Sequence, residues 1–138
     1  MNETSVQWIE GMAFSVSTGS GHTLVLDSKS KEGGETAGPS PMEMLLVGLA
    51  GCTAVDVVHI LKRQRQPLEG LQVHVKGERS SEHPKVYTHI TIEYVVQGDV
   101  DETKLQRAIE LSEEKYCSAS AMLGKTAVIE HSYRLEKD

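Results

Sequence analysis

Two cysteine thiols, Cys52 and Cys117, carry most of the chemistry that this sequence suggests. A deprotonated thiol is a nucleophile, a metal ligand and a redox group. Cys52 lies inside an almost wholly apolar segment, residues 42–61, and Cys117 follows about 65 residues later at the end of a second helical pattern. Cysteine is also among the residue types most often buried without any chemistry. The spacing therefore leaves both a reactive pair and two inert core residues open.

The ionisable neighbours of Cys52 in the apolar segment are Glu43, Asp56 and His59. Helical spacing puts Asp56 and His59, four and seven residues after Cys52, on the same face as the thiol. His59 could supply positive charge to a thiolate, or it could pair with Asp56 or with a partner subunit. Zinc normally takes four ligands at compact Cys/His spacings, and the sequence has no such motif. We therefore predict no metal site and no bound cofactor.

The composition is typical of a globular protein of one domain, residues 1–138. Of these residues 25% are charged and 38% are hydrophobic. The net charge of −6 argues against a nucleic-acid or anionic-membrane partner, because those surfaces recruit Lys and Arg. The N-terminus lacks the basic start and apolar run of a secretory signal, and two cysteines are too few for a disulfide-stapled scaffold. We expect a cytoplasmic protein whose thiols are free at rest.

The apolar segment is predicted to form a long helix with a well-marked start. Ser40 suits the N-cap, Pro41 suits the first helical position, and Glu43 completes a capping box three residues after the cap. Pro67 ends the pattern, so the helix is predicted over residues 41–66. The capping box accounts for Glu43, although its carboxylate could also orient a thiol from the start of the helix.

This helix is apolar on nearly every face, so every face must be covered. Twenty residues would span about 30 Å, close to the thickness of a bilayer core. The ionisable residues within the segment argue instead for a buried helix. A chain of 138 residues has difficulty enclosing such a helix by itself. We therefore expect a homodimer with the long helices in its core.

The rest of the chain alternates between strand patterns and helix patterns. Strands are predicted over residues 6–16, 22–27, 71–75, 86–96 and 127–135, a helix over 101–117, a helical turn over 118–123, a hairpin turn at 18–21, and loops over 28–38 and 80–85. The strands at 71–75 and 86–96 alternate between apolar and polar residues, which predicts one solvent-exposed face for each strand. Strands grouped around two helices predict an α+β fold.

Two motifs in the chain resemble the OsmC/Ohr family. The first is GPSPMEMLLVGLAGCT at residues 38–53, and the second is EKYCS at residues 114–118. The first motif, continued by DVV at residues 56–58, resembles the YhfA-like branch of this family. Trp8, Gly11, Met12 and the LVLD at residues 24–27 also fit the first strands of the family, so the resemblance covers essentially the whole chain.

The resemblance implies an intertwined homodimer in which antiparallel sheets from both subunits enclose two long central helices. It also implies reduction of organic hydroperoxides, with Cys52 as the peroxidatic thiol and Cys117 as the resolving thiol. Cys52 would become a sulfenic acid, Cys117 would convert it to a disulfide, and an external dithiol would reset the pair. The alternative is a dimer of the same fold that binds hydrophobic small molecules without catalysis.

The sequence departs from the family's peroxidases at the residues that prepare the thiolate. The family pattern implies an arginine from the N-terminal strands and a glutamate directly after the proline of the helix start. Here Met42 follows that proline, Glu43 comes one residue later, no arginine precedes Arg63, and Met12 stands where the arginine is expected. A thiol in apolar surroundings without a nearby cation reacts slowly. We therefore expect weak activation of the peroxidatic thiol, with Glu43 as the candidate third residue of the site.

Overall fold

The computed structural model describes residues 2–29 and 34–137, so the predicted loop over residues 28–38 lies partly outside the described residues. The chain divides into two compact units, residues 1–45 and 46–138. The first unit holds an antiparallel sheet of three strands in chain order, β1 Thr4–Glu10, β2 Ala13–Thr18 and β3 Thr23–Leu26. The turn predicted at residues 18–21 joins β2 to β3.

The strand predicted over residues 6–16 is two strands with a hairpin between them. Glu10 pairs with Ala13, which leaves Gly11 and Met12 as the two-residue loop. Gly11 has a φ of 54°, a conformation that favours glycine at the first loop position of a hairpin. Apolar residues continue on both sides of this turn and only Gly11 marks it, and for that reason the pattern alone indicated one strand.

The long helix α1, Pro41–Arg63, begins with the predicted capping box. Ser40 N–H donates to Glu43 Oε1 at 3.0 Å, and Glu43 N–H donates to Ser40 Oγ at 3.1 Å. The helix ends earlier than predicted, because Arg65 adopts a φ of 56° in the left-handed region shortly before Pro67. By length and composition α1 could cross a membrane, a test that core helices of other proteins also pass.

The second unit contains a mixed sheet, in which β5 is the central strand. It is built from β4 Leu68–Arg79, β5 Tyr87–Gly98 and β6 Val128–Glu136. β4 is antiparallel to β5, but β6 is parallel to β5, so the prediction of antiparallel sheets is wrong for β6. Three successive residues of β5, Tyr94, Val95 and Val96, are buried. The prediction of a solvent-exposed face for this strand is therefore also wrong at these residues.

The parallel pairing of β6 follows from the connection that precedes it. After β5 the chain forms α2 Glu102–Leu111, a wide turn over Ser112–Tyr116 and the short helix α3 Ser118–Leu123. A helical crossover of this length is what a parallel strand pair requires. The helix predicted over residues 101–117 therefore stops at Leu111. In the wide turn, here called the π-turn, Cys117 N–H donates to Ser112 O five residues back at 2.6 Å.

Candidate functional site

The structure brings the two thiols together in the second unit. The sulfurs of Cys52 and Cys117 and a carboxylate oxygen of Asp56 all lie within 4.8 Å of one another. Cys52, on α1, is partly exposed, whereas Cys117 is only 3% exposed. A disulfide needs an S–S distance of about 2.05 Å, so a local shift suffices to close the pair. The proximity that the predicted pair requires is therefore present.

Cys117 lies in the link between the π-turn and α3. Its backbone is extended, with φ −77° and ψ 102°, and its sulfur accepts a hydrogen bond from Ser120 N–H at 3.4 Å. Burial raises the pKa of the Cys117 thiol, while Ser120 opposes that rise. The resting Cys117 is therefore a protonated thiol, and it needs a base before it can act as a nucleophile.

A row of buried hydroxyl groups begins at the carboxylate beside the thiols. We call this row the hydroxyl array; in order along it, its members are Asp56, Ser112, Thr53, Tyr94 and Glu113. The successive oxygen–oxygen distances are 2.9, 2.8, 2.7 and 3.0 Å. All three hydroxyl residues have a relative exposure of 0%. The array therefore connects two carboxyl groups through the interior of the second unit.

The far end of the hydroxyl array reaches a partly exposed histidine. Glu113 Oε1 lies 3.1 Å from His131 Nδ1, and the His131 side chain is 39% exposed. Burial raises the pKa of Tyr94 far above its usual range, and Glu113 adds to this effect, although the Thr53 hydrogen bond opposes it. The phenol therefore keeps its proton. The array leads from a histidine near solvent to the carboxylate beside the thiols.

The other predicted site residues divide between the thiol pair and the surface. Asp56 joins the thiols and hydrogen-bonds Ser112 instead of His59, so the pairing considered for Asp56 and His59 is not formed. His59 is exposed and lines a cleft of about 580 Å³ together with Asp56, Arg63 and Tyr116. Glu43 uses its carboxylate in the capping box of the first unit. Its predicted catalytic role remains a prediction.

The thiol pair and Asp56 supply three donor atoms that a soft metal ion could use. Structural zinc sites take four protein ligands, and no fourth Cys, His or carboxylate belongs to this cluster among the residues that the structure describes. The Asp56 carboxylate already accepts a hydrogen bond from Ser112. The donor set does not meet the requirement of a closed zinc site, and the absence of a metal stays a prediction.

The hydroxyl array is the part of the site that the sequence did not predict. Four buried residues form a stripe along α1 at helical spacing, and Thr53 is the polar member among Leu49, Val57 and Leu61. A polar side chain in such a stripe needs a buried hydrogen-bond partner. That requirement was the available signal, but it does not identify the two partners, Tyr94 on β5 and Ser112 in the π-turn.

We expect Glu43→Gln and Ser40→Ala to have different effects on stability. Glutamine can also close a capping box, so Glu43→Gln should change the free energy of unfolding by less than about 0.5 kcal/mol. Ser40→Ala should lower it by about 1 kcal/mol, because the cap is lost. Urea denaturation measures both changes. A slower hydroperoxide reaction in a fully stable Glu43→Gln variant would assign the predicted catalytic role, and an unchanged rate would leave Glu43 with the cap alone.

The fold and the site together define a protein of α+β class with a closely spaced dithiol. The sequence model of the OsmC-like protein family matches residues 33–132, and the chain belongs to this family. The resemblance stated from the two cysteine motifs is therefore confirmed.

Full-length similarity to other proteins agrees with this assignment. The chain is 42% identical over 134 residues to Protein YhfA of Escherichia coli K12, covering 96% of this chain and 97% of that protein. A crystal structure of a hypothetical protein from Aquifex aeolicus superimposes with a TM-score of 0.88 at 34% identity, covering 100% of this chain and 98% of the other. A crystal structure named as an organic hydroperoxide resistance protein OsmC from Legionella pneumophila has a TM-score of 0.72 at 18% identity, covering 96% of each chain, which shows a shared fold.

Proposed function

We propose that the protein is a cytoplasmic, homodimeric thiol peroxidase that reduces organic hydroperoxides. The observation that carries the proposal is the distance of no more than 4.8 Å between the sulfurs of Cys52 and Cys117. Two free thiols so close together can exchange a proton and can close into a disulfide. The relative from Legionella is named for organic hydroperoxide resistance, which makes organic hydroperoxides the substrate class to test first.

The exposure of the two thiols supports the order in which they would react. Cys52 is partly exposed and meets the peroxide first, whereas the buried Cys117 acts second. The Cys52 thiolate attacks one peroxide oxygen, the O–O bond breaks, and the substrate leaves as an alcohol after taking up a proton. Cys117 then attacks the sulfenic sulfur, a disulfide forms and water leaves. An external dithiol reduces the disulfide by thiol exchange, so no bound cofactor is needed.

The surroundings of the site support an organic substrate. The cleft that Asp56 lines has Ile60, Leu111 and Tyr116 in its wall. Each methylene group that a substrate buries against such a wall contributes about 0.8 kcal/mol. Hydrogen peroxide has no apolar group to bury. We therefore propose an alkyl hydroperoxide as the preferred oxidant.

The exposed apolar residues of α1 support the proposed homodimer. In the second unit Val47 is 55% exposed and Val55 is 68% exposed, while the buried stripe of the helix occupies one face. An exposed apolar helix face of this kind is stabilised by an apolar partner. A second copy of the same chain supplies such a partner with two-fold symmetry.

The first test is whether an alkyl hydroperoxide closes the pair. Adding one equivalent to reduced protein is expected to give an intramolecular Cys52–Cys117 disulfide, because the sulfurs are already close. Peptide mass mapping without reduction detects the crosslink, and a dithiol should reverse it. Untreated protein kept in the same buffer is the control. Protein that keeps both thiols reduced, or that oxidises only to separate sulfinic acids, would contradict the proposal.

A second candidate is a dimer that binds hydrophobic molecules without catalysis. It is favoured by the absence of any arginine before Arg63, because the family's peroxidases use such a cation to prepare the thiolate. This candidate predicts saturable binding of an alkyl ligand that is equal in the wild type and in Cys52→Ser, with no oxidation of either thiol. Calorimetric titration together with the crosslink assay separates the two candidates.

A further inference from the structure

The hydroxyl array has one oxygen contact more than its hydroxyl groups can fill. Its five oxygens make four contacts of 2.9, 2.8, 2.7 and 3.0 Å, and each of the three hydroxyl groups carries one proton. When both carboxyl groups are ionised, Ser112 donates to Asp56 and Tyr94 donates to Glu113. Thr53 then has one proton for its two contacts, with Ser112 and with Tyr94. It can fill only one of them, and the other contact has no proton.

An empty contact at these distances is unfavourable. Thr53 lies 2.7 Å from Tyr94 and 2.8 Å from Ser112, which are the ordinary lengths of O–H···O hydrogen bonds. When no proton lies between two oxygens at such a distance, their lone pairs face each other and repel. This repulsion is stronger in the low dielectric of the protein interior. A fourth proton, held by either carboxyl end, would fill the empty contact.

The fourth proton makes the array reversible. When it is on Asp56, every hydroxyl donates toward Glu113, and when it is on Glu113, every hydroxyl donates toward Asp56. The two arrangements differ only by the movement of one proton along each contact, and the longest of these contacts is 3.0 Å. A proton that enters at one end thus releases a proton at the other end, without movement of any heavy atom.

We propose that the hydroxyl array is a proton relay that serves disulfide formation between Cys117 and the oxidised Cys52. This inference rests on the proposed peroxidase function. Asp56 is the end of the relay at the thiols, because its carboxylate oxygen lies within 4.8 Å of both sulfurs. Glu113 and His131 are the other end, where the histidine side chain is 39% exposed and exchanges protons with solvent.

The relay supplies the proton movements that the resolving step needs. The Cys117 thiol gives its proton to ionised Asp56, and the resulting thiolate attacks the sulfenic sulfur of Cys52. The S–S bond forms and the S–O bond breaks, so the Cys117 sulfur is oxidised and the Cys52 sulfur is reduced. The departing hydroxide takes one proton back from Asp56 and leaves as water. As Asp56 takes the proton from Cys117, the relay releases a proton from Glu113 to His131. After Asp56 has given its proton to the hydroxide, His131 returns a proton through Glu113 and the relay, so each proton removed is returned.

Several charged or titratable groups face the relay and belong in any account of its pH dependence. At the Asp56 end and its cleft they are Cys52, Cys117, His59, Arg63 and Tyr116. At the Glu113 end and its cavity they are His131, Glu110 and Glu114.

Thr53→Val interrupts the relay at its centre with a side chain of similar shape. In this variant Ser112 still donates to Asp56 and Tyr94 still donates to Glu113, so neither buried donor loses its acceptor. The fold is therefore expected to survive. Thr53→Ser is the matched control, because it keeps the hydroxyl. Tyr94→Phe interrupts the same row at the next position and replaces Thr53→Val if the latter does not fold.

Infrared spectroscopy tests the fourth proton without any hydroperoxide. The reduced wild type at neutral pH should show the C=O stretch of one protonated carboxyl group, and Thr53→Ser should keep it. Thr53→Val should lose it, because the two contacts that remain are filled by the protons of Ser112 and Tyr94. Asp56→Asn should also lose it, since the amide N–H can donate to Ser112 in place of the acid. Absence of the band from the wild type, or its persistence in Thr53→Val, would overturn the relay.

Single-turnover kinetics test the role in disulfide formation. After mixing with an alkyl hydroperoxide, Thr53→Val should close the disulfide about 100-fold more slowly than the wild type, as expected for loss of a proton-transfer group. In Thr53→Val the sulfenic acid of Cys52 should accumulate and react with a diketone reagent. The solvent deuterium isotope effect on the rate of disulfide formation should differ from that of the wild type. Thr53→Ser should restore rapid closure. Equal closure rates in wild type and Thr53→Val would overturn the relay while leaving the peroxidase proposal intact. A wild type that forms neither a sulfenic acid nor a disulfide would overturn the peroxidase proposal and with it the role of the relay in disulfide formation, and the infrared result would then test the fourth proton alone.

Discussion

Cys52→Ser is expected to reduce the turnover of an alkyl hydroperoxide with a dithiol to the rate of the uncatalysed reaction. The thiolate is the nucleophile in this chemistry, and a serine hydroxyl is not ionised at neutral pH. Cys52 is also the more exposed of the two thiols, so the buried Cys117 is not expected to replace it. Consumption of hydroperoxide over time, measured with the variant and the wild type at equal concentration, checks the result.

Cys117→Ser provides the matched control for that measurement. This variant should still reduce one equivalent of hydroperoxide and then stop at the sulfenic acid of Cys52, because the resolving sulfur is missing. The two serine variants therefore differ in the first equivalent and agree in the lack of sustained turnover. If Cys117→Ser lost the first equivalent and Cys52→Ser kept it, the roles of the two cysteines would have to be exchanged.

Val55→Asp is expected to dissociate the proposed homodimer. The Val55 side chain is 68% exposed on α1, and burial of a valine side chain contributes about 1.5–3 kcal/mol. Two-fold symmetry places two copies at one interface, so loss of this burial alone should weaken dimerisation by about 100-fold or more. The buried carboxylate adds a desolvation cost. Sedimentation velocity over a range of concentrations measures the dissociation constant.

Val128→Asp is the matched surface control for this substitution. Val128 is 59% exposed, but it lies on β6 instead of α1. The same chemical change at this position should not alter the oligomeric state, so Val128→Asp should sediment like the wild type. A wild type that sediments as a folded monomer at micromolar concentration, or a Val55→Asp variant that dimerises as tightly as the wild type, would remove the dimer from the proposal.

The parts of this protein that could be predicted from sequence depend on short-range signals. Ser40 and Glu43 form the capping box because both halves of that motif lie within one helical turn. The strand break at Gly11 was missed because apolar residues continue on both sides of the turn and a single glycine is the only local mark of it. The parallel pairing of β6 was missed because it depends on where the crossover helices return the chain, and no local pattern encodes that position.

The site shows the same division between local and distant information. The two cysteines could be identified because thiols are rare and carry distinctive neighbours. The hydroxyl array joins Thr53 on α1, Tyr94 on β5 and Ser112 in the π-turn, and these side chains are common ones at ordinary positions. Serine, threonine and tyrosine hydroxyls usually bond to backbone or water, so their types carry little information about partners. Only the folded arrangement shows that they form a continuous row.

The position of the Cys117 sulfur depends on the number of residues in the π-turn as well as on their identities. Each residue of an α-helix advances about 100° around the helix axis. Deleting one residue between Ser112 and Cys117 would therefore keep every side chain that contacts the thiols and yet point the second sulfur in another direction. Lys115, which is exposed within the turn, can change its identity at little cost. The distance between the two sulfurs is thus encoded by a residue count, and it is more sensitive to deletions and insertions in this segment than to substitutions on its outer surface.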